Sequence, residues 1–268
     1  MASLLSEAQK QAFRDDGYLC PLTAMDESEA ARVLAALEQF EAAHGGFGHR
    51  LRFKAHLRLA ALMAVARHER ILDAVEDLIG PDILLFTSTL WPKDGGDGRY
   101  VSWHQDSAYF GFDRHEEVTA WVALTHSNST NGCVRVMPGS HSGPDYQHEE
   151  TLAKDNLLIR GQTIRGLDEE RAVNLELRPG QFSLHQERTA HSSQPNASSE
   201  RRIGYALFYI PTSVKSALGR RTALLVRGKD AYGNWDPDPV PQRDDDPAID
   251  AFIRQTFHQY RDQEASTA

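Results

Sequence analysis

Two residues that could bind a metal stand one position apart in the stretch VSWHQDSAYFG, residues 101–111. They are His104 and Asp106, and the surrounding residues are typical of a β-strand. Side chains two positions apart on a strand leave the same face, so both groups could contact one ion. Two ligands hold a metal poorly, and the pair predicts a metal site only if the chain supplies a third.

The best third candidate is His191, in a turn-rich segment just before the apolar run RIGYALFYIP. Two imidazoles and one carboxylate on one side of an ion form the ligand set of non-heme iron(II) oxygenases. The chain has 12 histidines, so a His-x-Asp pair is weak support by itself. His185, close to His191 in sequence, is the alternative third ligand.

A cationic side chain follows His191 at the start of the next predicted strand. Arg202 could bind a carboxylate through two parallel hydrogen bonds. An iron(II) enzyme that uses 2-oxoglutarate needs such a group for the distal carboxylate of that cosubstrate. Arg201 competes, because adjacent strand residues point to opposite faces. The spacing from His191 favours Arg202.

The elements that must position these residues change character near residue 80. Apolar residues spaced by three and four predict helices over about 1–80. Short β-branched and aromatic runs, broken by Gly, Pro, Asn and Asp, then predict an antiparallel sandwich or barrel over about 82–212. A proline-rich crossing and a terminal amphipathic helix occupy 213–268. We expect one α+β domain over 1–268, with helices flanking a barrel.

Composition excludes several classes of partner. A formal charge of −9 and a pI near 5.7 argue against nucleic acid, whose binding needs a clustered positive surface. No apolar run approaches the ~20 residues of a membrane span, and the first residues lack a signal peptide pattern, so we expect a cytoplasmic protein. Cys20 and Cys133 form neither a disulfide framework nor a zinc motif. The oligomeric state is not predicted.

With these motifs in place, the chain resembles the phytanoyl-CoA dioxygenase-like (PhyH) family of iron(II)- and 2-oxoglutarate-dependent oxygenases. The resemblance runs from about residue 17 to about residue 235. Its markers are WHQD at 103–106, TAWVAL at 119–124, NGCVRVMPGSH at 131–141 and HSSQPNASSERR at 191–202. Each motif is common by itself, whereas their order and spacing are specific.

The resemblance implies a double-stranded β-helix, a jelly-roll or cupin-like barrel. It implies that iron(II) is bound by His104, Asp106 and His191. It also implies that 2-oxoglutarate is anchored by Arg202 and contacted by Trp121 and by Thr87 or Thr89. Halogenating relatives replace the carboxylate ligand with a small residue, so Asp106 argues for oxygen transfer.

The implied reaction consumes dioxygen and 2-oxoglutarate, hydroxylates an unactivated C–H bond of a small metabolite, and releases succinate and carbon dioxide. Similarity to a bacterial subgroup suggests a natural-product intermediate, an amino-acid-like compound or a phosphonate. The same cofactors could instead serve desaturation, epimerisation or cyclisation. Alternatives from other classes are a cupin-type metal-binding protein without 2-oxoglutarate chemistry and a non-catalytic binding module.

Cationic and aromatic residues outside the ligand set are candidates for substrate contacts. They are Lys54, His56, Tyr109, Phe110, Arg160 and Arg188. Cationic groups beside the pocket would suit a carboxylate or a phosphonate, and each could instead be a solvated surface charge. The polar segment 143–171 could be a lid or a surface excursion.

Overall fold

The computed structural model describes residues 3–47, 50–143, 145–151, 153–158 and 162–265. Its helices are α1 (Glu7–Asp16), α2 (Glu27–His44), α3 (Ala60–Ala66), α4 (Glu69–Ile79), α5 (Ser107–Phe110) and α6 (Pro247–Ala265). A Ser-x-x-Gln capping box starts α1: the Ser6 side chain accepts a hydrogen bond from the Gln9 backbone N–H, and the Gln9 side chain accepts one from the Ser6 backbone N–H. Gly17, with φ +81°, ends the helix in the left-handed region that favours glycine.

Most of the strands form a large and a small sheet that face each other, and their pairing is antiparallel except for the last two strands of the large sheet, which are parallel. They are β1 (Tyr18–Thr23), β2 (Ile83–Lys93), β3 (Val101–His104), β4 (Val118–Ala123), β5 (Val134–Val136), β6 (His148–Glu149), β7 (Thr163–Ile164), β8 (Val173–Leu175), β9 (Gln181–Gln186), β10 (His191–Ser193), β11 (Arg202–Pro211), β12 (Thr222–Arg227) and β13 (Asp236–Pro237). The seven-stranded sheet has the order β1-β9-β4-β11-β2-β12-β13, and the four-stranded sheet has the order β3-β10-β5-β8. The α+β jelly-roll prediction is confirmed.

The hydrophobic core has two main layers, one on each face of the large sheet. On the outer face, Leu37 of α2 and Val75 of α4 belong to the same cluster as Tyr205 of β11. On the inner face, Trp121 of β4 and Val136 of β5 belong to a second cluster, between the two sheets. Because alternate strand residues enter these two layers, β4 and β11 are buried along their whole length.

The prediction that about 1–80 is helical is wrong for Tyr18–Thr23, which form β1. This strand pairs with β9 at the edge of the large sheet. Pro21 has no N–H to donate, which an edge strand tolerates. The segment between α1 and α2 is too short to show a clear alternation of apolar and polar residues. Its partner strand, β9, lies far along the chain.

The C-terminal extension also contributes to the large sheet, beyond the predicted limit at 212. Its β12 pairs with β2, and β13 pairs with β12. Just after β13, the Asp238 carboxylate accepts a hydrogen bond from the Lys54 ammonium at 2.7 Å, and both side chains are fully buried. This ion pair fastens the extension to the segment that leads into α3.

The segment 143–171 is described in part, with residues 144, 152 and 159–161 left out. Its β6 and β7 form a two-stranded sheet, and Ile164 packs in one cluster with Trp103 of β3. His148 accepts a hydrogen bond from the backbone N–H of Gln105, the residue that separates His104 from Asp106. Among the described residues, no helix has the length and apolarity needed to cross a membrane.

Candidate metal centre

Strand pairing brings the three candidate ligands together. His104 ends β3, Asp106 follows it, and His191 begins β10 directly opposite His104 in the antiparallel ladder. The Asp106 carboxylate oxygens lie 3.5 Å from His104 Nε2 and 3.9 Å from His191 Nε2. One ligand atom from each residue falls within 4.8 Å of the others, and all three residues are buried. This arrangement could hold one metal ion.

In both candidate histidine ligands, the Nδ1 atom is hydrogen-bonded to a backbone carbonyl. His104 Nδ1 lies 2.9 Å from the Ser102 carbonyl, and His191 Nδ1 lies 3.0 Å from the Thr189 carbonyl. A carbonyl oxygen only accepts, so each Nδ1 carries the hydrogen and each Nε2 is left as a lone-pair donor. Both rings therefore have the orientation and the tautomer that metal binding requires.

The protonation states also suit metal binding. Burial opposes ionisation of Asp106, but the neighbouring His191 and His104 outweigh it and lower its pKa to about 2. Burial lowers the pKa of His191 well below its usual value. A carboxylate beside a neutral imidazole is the state in which these groups bind metals, because protonated ligands must first release a proton.

Arg202 lies at the other end of the cavity, with its guanidinium buried. It donates to the Trp91 carbonyl at 3.0 Å and lies 3.4 Å from Ser193 Oγ, while its Nε has no partner. Within the described residues, no carboxylate pairs with it. The guanidinium therefore keeps donors for a ligand, as a carboxylate anchor must. Arg201 points away from the cavity and pairs with Glu41 and Asp94.

Lys93 and Ser193 lie beside Arg202, although neither was predicted from the sequence as a site residue. Lys93 pairs with Arg202 across the β2–β11 ladder, and its ammonium donates to Ser193 and to the Gln194 carbonyl. Burial, and then Arg202, lower the pKa of Lys93 to about 7. The position of Ser193 two residues after His191, on the same strand, is the sequence signal that could have identified it.

The cavity lies between the two sheets and is mostly apolar. Its lining residues are Trp91, Val101, His104, Asp106, Thr119, Trp121, Val134, His185, His191, Ser192, Ser193, Arg202, Ala206 and Phe208. The Trp121 ring lies 5.5 Å from the Arg202 guanidinium carbon. Gly204 makes room for that ring, since a Cβ at this position would lie 1.8 Å from a Trp121 ring carbon.

The two threonines proposed to contact 2-oxoglutarate have their hydroxyls engaged by the backbone. Thr87 Oγ1 accepts from the Lys54 N–H at 3.2 Å, and Thr89 Oγ1 donates to the Arg52 carbonyl at 3.0 Å. Neither threonine lines the cavity. The hydroxyls of Thr87 and Thr89 instead hold the segment before α3 against β2.

Two of the cationic substrate candidates lie apart from the cavity. The Lys54 ammonium is surrounded by Asp238 and by the carbonyls of Phe86 and Thr222. His56 is fully buried, and its Nδ1 is 2.8 Å from Ser88 Oγ. Neither side chain lines the cavity, because both are committed to the extension and to β2.

Three of the remaining substrate candidates lie in the described part of the chain. Arg188 donates to Asp145 and to the Gly143 carbonyl, away from the cavity lining. The Tyr109 ring lies 6.0 Å from that of His104, and the Phe110 ring lies 5.3 Å from that of Phe208, so both aromatics border the site. Arg160 lies outside the described residues.

Two buried glutamates, Glu117 and Glu187, lie near Asp106, although neither was predicted from the sequence as a site residue. The Thr119 hydroxyl donates to Glu117 Oε1 at 2.9 Å and lies 3.5 Å from Asp106 Oδ2. Glu187 lies 3.2 Å from His115 Nδ1. Burial, and then repulsion by Asp106, raise the pKa of Glu117 well above its usual value and that of Glu187 to about 8.

Comparisons with known proteins agree with this geometry. The sequence profile of the family described as phytanoyl-CoA dioxygenase (PhyH) matches residues 13–204, a range that contains the three candidate ligands and Arg202. The chain is 29% identical over 222 residues to a probable alpha-ketoglutarate-dependent hypophosphite dioxygenase of Stutzerimonas stutzeri. That match covers 74% of this chain and 77% of the relative.

Two solved structures share the fold over nearly the whole chain. The apo form of ThoJ, a non-heme monooxygenase, superposes with a TM-score of 0.83 at 32% identity, covering 96% of this chain and 98% of ThoJ. CytC3 with Fe(II) and alpha-ketoglutarate superposes with a TM-score of 0.70 at 24% identity, covering 92% and 97%. The first likeness extends to sequence, whereas the second concerns the fold.

Proposed function

Because the chain belongs to the phytanoyl-CoA dioxygenase family and is an iron(II)- and 2-oxoglutarate-dependent dioxygenase, we propose that it hydroxylates an unactivated C–H bond of a small metabolite. The products besides the alcohol are succinate and carbon dioxide. One observation carries the proposal: the three candidate ligands and Arg202 open into one buried cavity.

The two polar ends of the cavity have different roles in this proposal. His104, Asp106 and His191 would hold iron(II), which with 2-oxoglutarate would supply the activation of dioxygen. Arg202 binds the distal carboxylate of 2-oxoglutarate through its uncommitted N–H donors. Trp121 covers that guanidinium and excludes water from the contact, which strengthens it.

The apolar wall keeps the reacting carbon away from water. Phe208, Ala206 and Val134 line the cavity between its two polar ends. A dry wall suits a reaction at a C–H bond, because it removes water as a competing reactant. Desaturation, epimerisation and cyclisation begin with removal of the same hydrogen atom, and the described geometry does not favour any of them over hydroxylation.

The cupin-type alternative gains no support from the cavity. Burying a guanidinium with an unpaired donor destabilises the folded state, and a barrel that binds only a metal gives no compensating contact for it. We further propose that residues 1–268 act as one catalytic domain, since β1 and β12 extend the same sheet from both ends of the chain.

The proposal is tested by adding iron(II) and 2-oxoglutarate to the protein without oxygen. We expect a broad visible absorption band from the chelated metal, and succinate once oxygen is admitted. Asp106→Asn should remove the band and lower succinate formation at least 100-fold. Glu116→Gln, a change at an exposed carboxylate, is the matched control and should retain both. A wild-type protein without the band would contradict the proposal.

A further inference from the structure

One polar side chain of the cavity wall has no partner in the protein. His185 of β9 is 2% exposed and lines the cavity, and neither of its ring nitrogens makes a hydrogen bond among the described residues. A buried polar atom without a partner destabilises the folded state, so native proteins contain few of them. An imidazole kept in this position indicates a partner that arrives with a ligand.

The position of His185 separates it from the cosubstrate end. On β4, its neighbour in the ladder is Thr119, whose hydroxyl lies near Asp106. The next inward pair is Ser183 and Trp121, and Trp121 covers Arg202. His185 therefore stands nearer to the ligand end of the cavity, with its ring 4.6 Å from that of His191.

The charges around the cavity are unequally distributed. Arg202 is the only cationic side chain among the described lining residues, and Lys93 lies beside it in the ladder. The distal carboxylate of 2-oxoglutarate would take up the positive charge at that end. Lys54 and Arg188, the other cations considered for substrate contacts, are committed to Asp238 and Asp145.

Besides Asp106, two further carboxyl groups are buried near the opposite end of the cavity. Glu117 and Glu187 are both buried, and the Thr119 hydroxyl that donates to Glu117 also lies 3.5 Å from Asp106. The charges of bound iron(II) and Arg202 would already be balanced by Asp106 and the two carboxylates of 2-oxoglutarate, so an anionic substrate group would bring an unpaired charge into a buried site. The structure thus disfavours a phosphonate or carboxylate next to His185.

We propose that His185 is a substrate-binding residue that hydrogen-bonds an uncharged oxygen, a hydroxyl or a carbonyl, of the molecule to be oxidised. An imidazole offers a donor and an acceptor, which matches a hydroxyl group. This inference rests on the proposed function and narrows its substrate class to uncharged oxygen-bearing metabolites.

The first test replaces the imidazole with an apolar ring and measures the metal-free protein. In His185→Phe the unpartnered nitrogens are gone, so the melting temperature should stay unchanged or rise. His126→Phe, at an exposed histidine, is the matched control. A melting temperature that falls by several degrees in His185→Phe alone would make the imidazole a structural residue and overturn the proposal.

The second test uses four probes that share one ring: cyclohexanol, cyclohexanecarboxylate, cyclohexylphosphonate and cyclohexylamine. Binding is read from the shift of the anaerobic iron and 2-oxoglutarate absorption band, and turnover from succinate. Cyclohexanol should act at least 10-fold better than the charged probes, and His185→Phe should raise its KM at least 10-fold. Preference for a charged probe, or an unchanged KM, would overturn the inference. The proposed function fails separately, when the band itself is missing.

Discussion

His104 and His191 lie directly opposite each other on neighbouring antiparallel strands, with ring centroids 4.1 Å apart. Their spacing is set by the β3–β10 ladder and not by a loop. The backbone carbonyls of Ser102 and Thr189 fix both rings. The arrangement of the proposed ligands therefore exists before a metal arrives, and little conformational entropy would be lost on binding.

Arg202 and Arg201 allow a paired test of the cosubstrate anchor. Arg202→Gln should raise the KM for 2-oxoglutarate at least 30-fold, because truncating one partner of a buried charge pair costs about 2–5 kcal/mol. Arg201→Gln removes an outward contact with Glu41 and should change that KM less than 2-fold. The measurement is succinate formation as a function of 2-oxoglutarate concentration. Equal effects in the two variants would contradict the assignment.

Gly204 tests whether the position of Trp121 matters for the cosubstrate. The Cβ introduced by Gly204→Ala would overlap the indole and push it from its place over Arg202. We expect the KM for 2-oxoglutarate to rise about 10-fold, together with a loss of about 1–3 kcal/mol in the free energy of unfolding from overpacking. Gly98→Ala, where no atom lies within 4 Å of the new Cβ, should change neither quantity.

The Lys54 and Asp238 pair is expected to act on stability and not on substrate binding. Lys54→Met would leave a buried carboxylate without its cation and should cost about 3–5 kcal/mol in the free energy of unfolding. Adding Asp238→Asn should recover part of that loss, since the unpaired charge is removed. The free energy of unfolding is measured by denaturant titration of both variants and of Lys154→Met, a control at an exposed position. A Lys54→Met protein with native stability and an altered substrate KM would instead support the substrate-contact prediction.

Glu187 should make the metal-free protein less stable at alkaline pH. Burial, and then Asp106, raise its folded pKa to about 8 from an ordinary value of 4.5. Between these values the folded state holds a proton that the unfolded state has released. The contribution of Glu187 to the free energy of unfolding is therefore complete below about pH 4.5 and is lost as pH rises through about 8.

Glu187→Gln removes this titration and should reduce the decline in unfolding free energy between pH 5 and pH 9 by a few kcal/mol. Thermal unfolding of the metal-free protein across that range is the measurement. Glu116→Gln, at an exposed position, should leave the decline as it is in the wild type. Parallel curves for wild type and Glu187→Gln would contradict the raised pKa.

The sequence by itself determined the features that depend on local spacing. Residues two apart on a strand share a face, which placed His104 and Asp106 together before any fold was known. The cap at Ser6 and the stop at Gly17 bounded α1 for the same reason, since their hydrogen bonds reach only a few residues. The turn-rich segment before the apolar run RIGYALFYIP indicated His191 and Arg202, the short strand runs indicated a sandwich or barrel, and the family motifs agreed with both.

Only the tertiary structure decided the features whose partners lie far along the chain. It made Tyr18–Thr23 a strand through β9, and it enclosed Lys54 against Asp238, so that a candidate substrate contact became an internal ion pair. It also turned His185 into the cavity beside Asp106 and left its nitrogens without partners. Side-chain type and spacing carry no information about such distant partners, because burial and pairing arise only when the sheets close on each other.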